Sequence, residues 1–138
     1  MSELNVKHIN KILGHIQADI RRLWMPWWGV KKGAECVEQA GKELQFAACG
    51  TAACFAGWSK LLSMPKKERD GQFYSKGYLC VSGKLEAERL GLDDSERFLF
   101  TEADGTQREQ FNEVKKRLRM IIAGRVARGE LSAKKIRV

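Results

Sequence analysis

Cys49 and Cys54 stand five residues apart in AACGTAACFAGW, a stretch of mostly small side chains closed by Trp58. Thiols at this spacing can grip a metal, form a redox pair, attack a substrate or simply pack. Zinc needs thiolates or imidazoles converging tetrahedrally, and its sequence sign is a short hook paired with a second hook further along. Here there is one hook only, because Cys36 and Cys80 are isolated. His8 and His15 would lie two turns apart on one helix, roughly 10.5 Å, too far to chelate a single ion together. They read as solvated or boundary histidines. A redox pair favours C-x2-C, which brings the sulfurs closer than C-x4-C does. A nucleophilic thiol needs a lowered pKa, and Cys49 does precede a predicted helix start. Against that, two histidines on the first helix are the available bases, and no Asn or Asp is patterned around them. Packing is therefore the expectation, with Cys49, Cys54 and Trp58 as structural core, since small cysteines suit the interior of a thin helix. No catalytic residue, metal ligand or cofactor is expected, and zinc or thiol chemistry is the least favoured reading.

The elements that would position these residues are mostly helical. From Asn5 to Trp24, Val6, Ile9, Leu13, Ile16, Ile20 and Leu23 recur at spacings of three and four, which predicts a helix with one buried stripe, capped by Asn5 and stopped by Pro26. WMPWWG then concentrates three tryptophans, Trp24, Trp27 and Trp28, in a turn that either anchors on the core or presents a stacking platform; anchoring is the blander reading. Ala34 to Ala40 predicts a short helix between glycines. Thr51 to Ser63 predicts a helix capped by Thr51, kept thin by Ala53, Ala56 and Gly57 so that neighbours can approach closely. QFYSKGYLCV predicts a short hairpin turning at Ser75 to Gly77. Ser82 opens a helix that Gly91 breaks, Asp93 or Asp94 caps another turn, and Thr106 with Glu109 forms a capping box. The helix that follows buries Phe111, Val114, Leu118, Ile121 and Ile122 and ends near Gly124 or Ala127.

These elements predict a mainly α fold: a small helical bundle, residues 1–128, with a short β-hairpin, followed by a flexible basic tail over residues 129–138. At 138 residues one core is the default, because a domain of this size hides roughly 70% of its unfolded surface. With 43% hydrophobic and 30% charged residues, the chain is too apolar to be disordered. No run is long enough to span a membrane, and the N-terminus lacks the apolar stretch of a secretory signal. A cytoplasmic location with reduced thiols is the expectation.

The net charge of +8 is local: residues 108–138 carry ten Lys or Arg against three acids, which leaves the first 107 residues close to neutral. Arg108, Asn112, Lys115 and Arg119 follow one another at helical spacing with Lys116 alongside, and Arg125, Arg128, Lys134, Lys135 and Arg137 continue the basic run. A charge run is usually a solvated face. Acids are scarce after Glu113, however, and these nine cations are the candidate contacts to a protein partner or to the phosphates of DNA or RNA. The segment carries no homeodomain, zinc-finger or RNA-recognition signature, so any nucleic-acid binding would be largely sequence-nonspecific.

The string CGTAACFAGW, followed by LGL at Leu90 to Leu92, acids and then FLF, resembles a group of small phage, prophage and bacterial proteins built around C-G-T-x-x-C-x-A-G-W. The resemblance spans about residues 46–124 and implies no catalytic residues, since no activity is assigned to that group. The chain departs from the pattern in WMPWWG, in Val30 to Gln45 and in its basic tail. The expectation is a non-enzymatic, phage-encoded interaction protein that docks on a host protein or ribonucleoprotein complex, by analogy with defence inhibitors such as anti-CRISPR proteins. The alternative is a direct nucleic-acid binder.

Overall fold

The computed structural model describes residues 3–34, 44–74 and 76–138. The protein is a mainly α domain with a short two-stranded antiparallel sheet. Its first helix, α1 (Val6–Ala18), buries Ile9, Ile12, Leu13 and Ile16. Asn5 caps it by accepting from the His8 amide at 3.1 Å. The helix is shorter than its apolar spacing predicts. Asp19 is extended, its carboxylate accepts from the Arg21 amide, and a 3-10 turn over Ile20–Arg22 follows. A 3-10 turn nearly preserves the three-residue period, so Leu23 still reaches the core.

Strand β1 (Gly29–Lys31) pairs with β2 (Thr51–Ala53), Val30 opposite Ala52. The predicted helix from Thr51 thus begins four residues late, as α2 (Phe55–Leu62), because three residues are taken by a ladder whose partners lie 20 to 24 positions upstream. Cys54 replaces Thr51 as the cap, its sulfur accepting from the Gly57 amide at 3.3 Å. α2 is central, with seven of its eight residues buried. Its thinness has a specific use. A Cβ on Gly57 would lie 1.8 Å from the Trp28 carbonyl oxygen, so only glycine admits that strand connection.

The predicted hairpin segment forms a tight turn beside the sheet: Tyr74 N–H donates to Tyr78 O, Gly77 N–H to Tyr74 O, and Leu79 N–H to Gly29 O at 2.9 Å. Ser75 lies outside the described residues, as do residues 35–40 of the predicted helix from Ala34. A one-turn helix, α3 (Lys66–Arg69), follows Pro65. α4 (Gly83–Leu90) starts at its Ser82 cap and ends at Gly91, whose φ of 74° is left-handed and whose missing Cβ leaves room for the Glu3 carbonyl. Asp93 and Glu96 form a capping box on a 3-10 segment over Asp94–Phe100. α5 (Gln107–Ala127) begins on the Thr106 and Glu109 box.

The last ten residues pack rather than fray. Leu131–Lys135 forms a 3-10 turn, Ala133 and Ile136 are buried, and Asn10 of α1 brackets the segment by donating to Lys135 O and accepting from Arg137 N–H at 2.8 Å. Two apolar side chains three residues apart supply the anchor. One core joins α1, α2, α4, α5 and this turn. No helix among the described residues is long and apolar enough to cross a membrane.

Candidate functional site: a cationic face

α5 is amphipathic in an unequal way. Phe111, Val114, Leu118 and Ile121 are buried, whereas Arg108, Asn112, Lys116 and Arg119 are exposed on the outer arc beside Met120. Lys115 is half-buried, its ammonium 4.8 Å from the centre of the Phe111 ring. The packed C-terminal turn sets Arg137 beside α1 and α5, and Lys134 and Lys135 are exposed on the same turn. Lys115 and Arg137 line one cavity of about 270 Å³ over an apolar floor of Leu13 and Phe111. Among the described residues no acid lies within ion-pair distance of Arg108, Lys115, Lys116, Arg119, Lys134, Lys135 or Arg137.

The other cations of this region are paired within the chain. Arg117 donates to the carbonyls of Thr101 and Glu102 and to Glu113. Arg125, expected as a partner contact, is instead 2% exposed. Its guanidinium takes Glu96 through both oxygens, Glu130 at 2.9 Å and the Gly91 carbonyl. The Glu96 hydrogen bond raises its pKa further, so it is always charged. Burial of a charge requires such partners, and Arg supplies the planar fork that can satisfy them. Arg128 is also a structural cation in part, with Asp93 at 3.2 Å and Glu96 at 3.7 Å.

The two cysteines separate. Cys54 is buried at the N-terminus of α2, and burial pushes its thiol up to about 12, which keeps it protonated. Trp58 is buried too, its indole N–H donating to Arg22 O at 2.6 Å. Cys49, expected in the core, is exposed, because residues ahead of β2 run over the surface and its sulfur faces Thr51 O at 3.6 Å. It shares the lining of a second cavity of about 270 Å³ with His15, Trp58 and Arg69. Burial, then Arg22, Arg69 and Lys11, lower His15 to about 4, so it is neutral at pH 7. Its ring meets Trp58 edge-on at 4.3 Å. His8 Nε2 bonds Ser59 O at 2.9 Å. Cys80 is exposed, Cys36 lies outside the described residues, and among the described residues no three His, Cys, Asp or Glu side chains gather to hold a metal.

Sequence reasoning located the cationic run through its spacing and charge. The bracing roles of Glu96 and Glu130 carry no local signal: Glu96 meets Arg125 29 positions away, and Glu130, five residues from Arg125, also accepts from Leu4 N–H at the other end of the chain. The three tryptophans divide: Trp24 is 5% exposed and anchors the turn, Trp27 is half-buried and Trp28 is 36% exposed. Trp27 and Trp28 line a concavity of about 470 Å³ with Tyr78, Phe100 and Glu102. No family model, no curated protein and no solved structure matches this chain.

Proposed function

We propose that the protein is a non-enzymatic interaction protein that docks its cationic face on an acidic surface of a host macromolecular complex in the cytoplasm. The observation that carries this reading is the sorting of charge. Arg117, Arg125 and Arg128 have internal acceptors, whereas seven neighbouring cations on α5 and the C-terminal turn have no acid at ion-pair distance among the described residues. Like charges clustered on one face repel one another, and an anionic partner relieves that repulsion while the long-range field steers its approach. The resemblance to small phage and bacterial proteins supports a phage-encoded setting, and inhibition of a host defence complex, as anti-CRISPR proteins do, is the corresponding role by analogy.

A second reading, direct nucleic-acid binding, is favoured by the length of the strip. From Arg108 to Arg119 a helix rises roughly 16 Å, enough to meet several phosphates in a row. Affinity capture from host lysate, with and without nuclease, separates the two. The proposal expects a defined protein complex that survives nuclease treatment; loss of all captured material on nuclease treatment, with affinity falling steeply as salt rises, overturns it in favour of the second reading.

A further inference from the structure

The aromatic turn is not used by the cationic face, and its geometry suits a different ligand. Trp27, Trp28, Tyr78 and Phe100 line a cavity of about 470 Å³ floored in part by Met25. That volume lies in the range of pockets that enclose small molecules. The walls are fixed from behind. The Trp28 carbonyl accepts from the Cys54 amide and presses against Gly57, and the next residue, Gly29, accepts from Leu79 N–H. The backbone that carries the two indoles is therefore fixed before any ligand arrives, which lowers the ordering cost of binding.

Glu102 decides the sign of the ligand. It lines the same cavity, is exposed, and its carboxylate has no hydrogen bond or ion pair among the described residues; only its backbone carbonyl is engaged, by Arg117. Arg97 and the edge of the Trp28 ring both approach Gly83, and Arg97 does not line the cavity. Aromatic faces present negative charge to a ligand, and a carboxylate adds to it, so phosphate-bearing ligands are disfavoured and cations favoured. A quaternary or alkylated ammonium has few N–H groups to satisfy, and it suits a lining of aromatic rings with one carboxylate. We infer that the cavity lined by Trp27, Trp28, Tyr78, Phe100 and Glu102 is a binding site for a small free organic cation of the quaternary or alkylated ammonium class.

The test is a titration with choline, followed through the indole NMR signals of Trp27 and Trp28. Its uncharged carbon isostere, 3,3-dimethylbutan-1-ol, and a mononucleotide serve as comparisons. Choline is expected to shift both signals saturably and to bind about tenfold more tightly than the isostere. Glu102→Gln should weaken choline and leave the isostere unchanged, and Trp28→Ala should weaken both. No saturable shift with choline, equal binding of the isostere, indifference to Glu102→Gln, or preference for the mononucleotide would each overturn the assignment.

Discussion

Arg125 of α5 holds Glu96 through both carboxylate oxygens, Nε to Oε2 at 2.9 Å and Nη2 to Oε1, with the pair sealed from solvent. The contact ties the last long helix to the 3-10 segment after α4. Through Glu130, whose other oxygen accepts from Leu4 N–H at 3.0 Å, it also ties both to the start of α1. A basic residue in a basic run is here an internal brace.

Removing one member of this buried pair takes from the other its two-pronged partner, and the remaining contacts replace it only in part. Glu96→Ala is expected to cost about 3 to 5 kcal/mol in urea unfolding. Replacing both, as in Arg125→Met with Glu96→Leu, should cost less than the sum of the singles, since the two single variants each lose the same paired contact. Arg108→Ala, on the exposed arc, should stay within about 0.5 kcal/mol of the parent. An equally mild Glu96→Ala would show that the brace is not sealed.

Glycines in helices give a contrast in sign. Gly57→Ala drives a methyl into the Trp28 carbonyl and should destabilise by about 1 to 3 kcal/mol or more. Gly14→Ala, in α1 with nothing within 4 Å of the added carbon, should stabilise by about 0.5 to 1 kcal/mol. Thermal melts of both variants check this, and equal effects would contradict the close packing of α2 under the sheet.

The histidines set a pH dependence. Burial lowers the pKa of His8 and takes that of His15 down to about 4, from an ordinary value near 6.5. The unfolded chain therefore takes up these protons first as pH falls. Stability is full above about 6.5 and declines as pH drops from there toward 4. Urea midpoints at pH 7.5, 6 and 5 should fall in that order, and the His8→Gln, His15→Gln double variant should show a shallower decline. A wild-type midpoint that is flat or rises over this window would refute the burial of both rings.

Much of this fold is legible in the sequence where the controlling interaction is local. The stripe of α1, the Ser82 cap with Gly91, the Asp93 turn and the Thr106 capping box all depend on residues within a few positions, and each stands where its spacing puts it. Legibility fails where a distant partner wins. Thr51–Ala53 has the small residues of a helix start but is claimed by Gly29–Lys31, which leaves Cys54 as the cap and Cys49 outside the core. The C-terminal ten residues look like a frayed basic tail by charge, yet Ala133 and Ile136 find the surface of α1. For the candidate surface, spacing identifies which cations lie along α5. Burial of Arg125 was invisible because Glu96 is 29 positions away.

The central claim is that the exposed cations of α5 are the contact surface. Its most direct test is partner retention by the charge-reversed variant Arg108→Glu, Lys116→Glu, Arg119→Glu. The control is Lys66→Glu, Lys67→Glu, Lys84→Glu, three exposed cations on α3 and α4. Lys115 is left in place because its ammonium packs over Phe111. With both variants folded and melting close to the parent, nuclease-treated capture should lose the complex for the α5 variant and keep it for the control. Full retention by the α5 variant, or equal loss by both, would contradict the account.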